Sequence, residues 1–184
     1  MKKLTTRALV LCALFAALTA ICSQLAIPLQ PVPINLAMLS VFLAGGLLGG
    51  KYGALSQAVY VLLGAVGVPV FQGFRGGLSA LTGPTGGYII GYVLAALVTG
   101  WLFALSYRKF SQTPWLCSVF AALSCICGLI VCYGLGTLWY VLESQTAFLP
   151  ALSLCVVPFL PGDAAKILVV ALLLPRLKKT VGDV

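Results

Sequence analysis

The segment Leu149 to Pro175, LPALSLCVVPFLPGDAAKILVVALLLP, is apolar over most of its length yet carries one acid, Asp163, and one base, Lys166. A run of this kind suits a helix crossing a bilayer, for which about 20 residues suffice. Pro158 and Pro161 flank Phe159 and Leu160, and Gly162 precedes the acid, so the helix is expected to break and restart here. The spacing i, i+3 puts Asp163 and Lys166 on one helical face. A lone charge near the bilayer centre costs on the order of 3 kcal/mol, so such residues usually pair, face a cavity and mark a substrate or ion path. The free N–H groups of the restarted helix would face the same place. A competing reading has the two residues merely neutralise each other in a filled interior, but it gives the break no purpose.

Composition extends this reading to the whole chain. Of 184 residues, 61% are hydrophobic and 8% charged, and the mean hydropathy is +1.13. Too few polar groups exist to cover a soluble surface, so the chain is expected to be an all-α integral membrane protein in a single domain, 1–184. Six spans fit, at about 8–27, 34–48, 52–68, 85–107, 115–142 and 149–175. That leaves no length here for a soluble catalytic or nucleotide-binding domain.

The formal net charge of +8 comes from basic residues at segment ends, without a patch of interleaved aromatics, so nucleic acid is not an expected partner. Their placement follows the positive-inside rule. With both termini cytoplasmic, Lys2, Lys3, Arg7, Lys51, Arg108, Lys109, Arg176, Lys178 and Lys179 are inside, Arg75 is outside and Lys166 is intramembrane. The seven cysteines fall in apolar segments, there is no histidine and no CxxC, and neither a metal site nor a disulfide framework is expected.

The apolar run after MKKLTTR is too long for a signal-peptide core and reads as an uncleaved first helix. In it, Ala13 with Ala17 and Ala16 with Ala20 make small faces suited to close helix contact. Pro28 to Pro33 reads as an outer loop, and Asn35 lies near the outer end of the second span. Gly45 to Lys51 matches GxxxxGK, but Tyr52 follows where a phosphate loop needs Ser or Thr, so the glycines are expected to form an inner turn. The longest interruption, Pro69 to Pro84, contains Gln72 and Arg75. Loops of that length often bind or cover ligands, and an outside Arg75 suits an anion. Gly83, Gly87 and Gly91 suggest a smooth face in the fourth span. Tyr88 lies toward the Arg75 loop, whereas Tyr92 suits an interfacial aromatic belt.

These polar residues converge on an outward-facing pocket, where Lys166 and Arg75 could hold the carboxylate of a small amphipathic acid and Asp163 could accept from N–H donors. No nucleophile and base pairing or carboxylate dyad points to an enzyme. Substrate capture for separate ATPases is one reading. The alternative is an autonomous secondary transporter with Asp163 as its proton-coupling group, although only one broken helix is found where such transporters usually show paired breaks.

Three stretches, GGKYGALSQAVYVLLGAVGVPVFQGFRGG, LTGPTGGYIIGYVLAAL and VVPFLPGDAAKILVVALLLPRL, closely resemble the BioY family, the biotin-specific substrate-binding S components of energy-coupling factor (ECF) transporters. The likeness runs from the first span to Leu177. It implies an ECF S-component-like six-helix protein of a prokaryotic plasma membrane that takes biotin from outside. Biotin would be its cargo, with no cofactor, and uptake would need a transmembrane partner and two ATP-binding-cassette ATPases. Ala13 and Ala17 look like the family's docking face, Asp163 and Lys166 match its PGDxxK motif, and Gln72 to Gly77 and Gly83 to Tyr88 match its glycine-rich stretches. The sequence departs from relatives at Ala37, where glutamine is common, and at Ile89, where some carry a polar or basic residue. The residue at Arg75 also varies among relatives, and the expectation drawn from these departures is that Asp163 and Lys166 contact the polar ends of biotin while Arg75 compensates for the missing basic side chain.

Overall fold

The computed structural model describes residues 5–27 and 34–182. The expected Pro28 to Pro33 loop, Lys2 and Lys3 lie outside the described residues. Helix α1 (Thr6–Gln24) begins at Thr5, whose hydroxyl accepts from the Ala8 N–H. A two-residue antiparallel ladder, β1 (Ala26–Ile27) with β2 (Ile34–Asn35), leads into α2 (Ala37–Ala65). Then come α3 (Leu78–Thr82), α4 (Gly86–Phe110), α5 (Pro114–Ser144), α6 (Phe148–Cys155), one 3-10 turn (Val157–Phe159) and α7 (Leu160–Val181).

Among the described residues, five helical stretches are long and apolar enough to cross a membrane. The sixth pass comes from α2, which is bent back on itself at Gly49, where φ is 81° and ψ is 166°. A Cβ added at Gly53 would stand 2.6 Å from the Gly45 Cα, whereas eight residues along a straight helix are about 12 Å apart. The inner turn expected from GGLLGGKYG is therefore a hairpin of two helical arms, and only glycine takes this positive φ without cost while letting backbones meet. The result is an all-α membrane fold of six helical passes.

Close backbone approach and buried hydroxyls hold the helices together, since hydrocarbon gives no hydrophobic drive for apolar faces to associate. Gly87 and Gly91 let α4 lie on α5, at Trp139 and Cys132 respectively. Gly83 precedes the helix, so the expected three-glycine face has two members. Thr19 of α1 bonds Ser40 in the first arm of α2 at 2.9 Å and accepts from Gln57 Nε2 in the second arm at 3.2 Å, all three fully buried.

The Arg7 guanidinium donates to the Val181 carbonyl, and Lys178 Nζ donates to Leu47 O at 3.0 Å, so the described chain ends and the Gly49 turn share one end of the bundle. Arg108, Lys109, Lys178 and Lys179 lie in the last turns of α4 and α7, where cations favour the helix dipole.

Two expected boundaries move. The last helix does not stop at Pro175 but continues to Val181. The proline removes one internal hydrogen bond, while Leu174, packed on Gly46, and Lys178, bonded to Leu47, hold the turns on either side. The Pro69 to Pro84 segment is also more ordered than a plain loop. It contains α3 and a tight bridge in which Phe71 and Arg75 exchange backbone hydrogen bonds of 3.0 and 3.1 Å.

Candidate functional site

At the end of the bundle opposite the basic residues, α1, both arms of α2, the Phe71–Arg75 turn, α4, α5 and α7 enclose a cavity of about 660 Å³. Volumes of about 300–1,000 Å³ are usual for small-molecule sites. Asn35, Gln72, Arg75, Tyr88, Asp163 and Lys166 all line it. Residues separated by more than 120 positions in sequence are thus brought to one wall.

The broken last span explains how a charged pair reaches this depth. Pro161 sits in the first turn of α7, where its missing N–H costs no helical bond, and Asp163 lies in the same turn, where the helix dipole favours its negative charge. The restart is at Leu160, two residues before the glycine. Lys166 Nζ donates to Asp163 Oδ1 at 2.7 Å, and the residues are 6% and 2% exposed. Asp163 Oδ2 accepts from the Tyr133 hydroxyl of α5. Both carboxylate oxygens therefore carry a donor, which is what a buried charge requires. The pair is structural in that sense, but it also forms part of the cavity wall, which a purely neutralising pair in a filled interior would not.

Asn35 starts the first arm of α2 by accepting from Ala37 N at 3.1 Å, and its amide donates to Gln72 Oε1 at 3.3 Å. Arg75 is exposed at the rim, and no ion-pair partner for its guanidinium occurs among the described residues. Tyr88 meets Thr137 through its hydroxyl at 3.2 Å and Tyr133 edge-on at 6.3 Å between centroids. Ile89 also lines the cavity.

Tyr92 departs from expectation. It is 7% exposed and packs 6.4 Å from Tyr60 in the cavity wall, because the α4 face that carries it turns toward α2 and not toward an interfacial belt. Tyr60, Phe71 and Tyr133 are wall residues that sequence reasoning missed. Tyr133 left a signal, as a phenol in the middle of the apolar run 115–142. Tyr60 and Phe71 read as ordinary apolar positions, and only their edge-on contact at 5.5 Å reveals their place.

Ala13 and Ala17 stand away from the cavity, on the exposed side of α1. Ala16 is buried and Ala20 half-buried, so the two small faces divide, one outward and one into the bundle. A second hollow of about 670 Å³ lies between α5 and the α6–α7 segment, without a charged side chain in its lining.

The BioY family model matches residues 1–183. A biotin transporter BioY of Thermotoga maritima is 42% identical over 174 residues, covering 94% of this chain and 96% of its own. One from Rhizobium etli is 36% identical, covering 92% of both chains. The crystal structure of the S component for biotin from an ECF-type ABC transporter superposes with a TM-score of 0.81 at 31% identity, covering 96% of this chain and 95% of that one. With its apolar spans, the chain is a multi-pass prokaryotic membrane protein. The family model, the relatives and the fold agree, and the chain belongs to the BioY family.

Proposed function

We propose that this chain is the biotin-capturing subunit of an ECF-type importer. It takes biotin from outside into the cavity and leaves ATP hydrolysis to two separate ATPases joined through a transmembrane partner. The observation that carries the reading is the combination in one cavity of a buried Asp163–Lys166 pair, a rim arginine and an aromatic wall. Biotin has a carboxylate at one end, a ureido ring at the other and an apolar body between. Lys166 and Arg75 suit the negative end, Asp163 and Asn35 suit ring N–H and C=O groups, and Tyr60, Tyr88 and Tyr92 suit the body.

Positive-inside charge supports cytoplasmic termini, which puts the cavity mouth outside. The exposed Ala13 and Ala17 face would then meet the transmembrane partner, and the chain would need no cofactor of its own. The test is reconstitution in lipid vesicles. The protein alone, under a proton gradient, should bind biotin without accumulating it, and ATP-dependent accumulation should appear only with the partner subunits. Gradient-driven accumulation by the isolated chain would establish the secondary-transporter alternative instead.

A further inference from the structure

The Phe71–Arg75 turn brings Gln72 and Arg75 to the cavity, and the main chain on both of its sides is held from outside the cavity by Gln24 at the end of α1. Gln24 Nε2 donates to Val70 O at 3.2 Å and to Phe71 O at 3.0 Å, and Gln24 Oε1 accepts from Phe74 N at 3.1 Å. Its neighbour Ser23 donates to the same Val70 O at 2.8 Å. One primary amide therefore uses both its acceptor and its donor on the turn's main chain, while Gln24 is absent from the cavity lining.

The turn needs such a hold. Gly73 and Phe74 both have positive φ, 70° and 55°, and a left-handed conformation at a non-glycine residue costs about 1–2 kcal/mol. Phe74 is 73% exposed, so packing does little to fix it. The Phe71 ring anchors one side of the turn against Gly64, where an added Cβ would stand 2.0 Å from Phe71 Cζ. On the Phe74 side the hold comes from Gln24.

We infer that Gln24 is a positioning residue for ligand binding: its side-chain amide clamps the Val70–Phe74 backbone so that Gln72 and Arg75 face the cavity before ligand arrives. This deepens the capture reading and rests on it for the identity of the ligand. Without the clamp the turn samples other arrangements, and apparent affinity falls in proportion to the fraction of molecules with the turn in place.

Two measurements on the full chain in detergent test this, using Gln24→Met, which keeps length and loses every hydrogen bond. The first uses no ligand: trypsin cleavage after the exposed Arg75 should be faster in Gln24→Met by about tenfold, with cleavage at Lys51 and Arg108 unchanged. Equal rates at Arg75, or equally raised rates at every site, would overturn the clamp. The second is biotin binding. Gln24→Met should weaken it by about tenfold, through a smaller fraction of molecules with the turn in place. Added to Arg75→Ala, it should cost less than that factor, because the group it places is already gone. Parental affinity in Gln24→Met, or full multiplication of the two effects, would refute the positioning role. Should the parent not bind biotin, the capture reading fails while the cleavage rates still decide the clamp.

Discussion

Separate replacement of Lys166 and Asp163 should behave differently from replacement of both together. The pair is 2.7 Å long, with side chains 7% and 3% exposed, and lies at the restart of a membrane helix. Lys166→Met leaves a carboxylate with only the Tyr133 hydroxyl, and Asp163→Asn leaves an ammonium without a counter-charge. Breaking a buried pair by removing one partner costs about 3–5 kcal/mol, whereas replacing both members with well-packed apolar residues of similar volume is often neutral. For a chain of this size that is a fall in Tm of about 6–20 °C for each single variant, with recovery in the double variant Asp163→Leu, Lys166→Met. Binding should not recover. Each lost hydrogen bond to a charged group removes about 1.5–3 kcal/mol, so all three variants should bind biotin at least about tenfold more weakly. The assays are thermal unfolding without ligand and calorimetric titration with biotin. A double variant that is stable and binds with parental affinity would refute the reasoning, because the pair would then be neutralising itself and nothing more.

Tyr133→Phe keeps the ring and removes the donor to Asp163 Oδ2, a loss of about 1.5–3 kcal/mol that should lower Tm by about 3–12 °C in thermal unfolding without ligand. Gly45→Ala places a methyl group 2.5 Å from the Ala96 carbonyl oxygen, and helical unfolding followed by circular dichroism should show a loss of about 1–3 kcal/mol or more. Thr19→Val removes the shared hydroxyl between Ser40 and Gln57. Since interhelical hydrogen bonds in membranes average about 0.6 and reach about 1.7 kcal/mol, a small fall in Tm should appear with biotin affinity intact.

The membrane class, the Gly49 turn and the broken last span were legible because each rests on local chemistry: hydropathy, glycine clustering, and prolines beside a charged pair. Asp163, Lys166 and Arg75 stood out for the same reason, since a charge among apolar residues has few explanations. The aromatic wall was not legible. Tyr60, Phe71 and Tyr92 look alike whether they face lipid or ligand, and only the hairpin in α2 and the rotation of α4 bring them together. The helix past Pro175 escaped notice because proline's local cost is offset by tertiary contacts at Gly46 and Leu47. Gln24 escaped too, because its partners are backbone atoms 46 to 50 residues away, and main-chain groups leave no mark in sequence.

The capture reading requires a preformed biotin site in this chain alone. It is tested most directly by equilibrium binding of biotin to the purified protein in detergent, with no nucleotide and no partner subunit. Saturable binding of one biotin per chain, at least about tenfold weaker in Lys166→Met, is the expected result. A folded, monodisperse protein that takes up no biotin would contradict it.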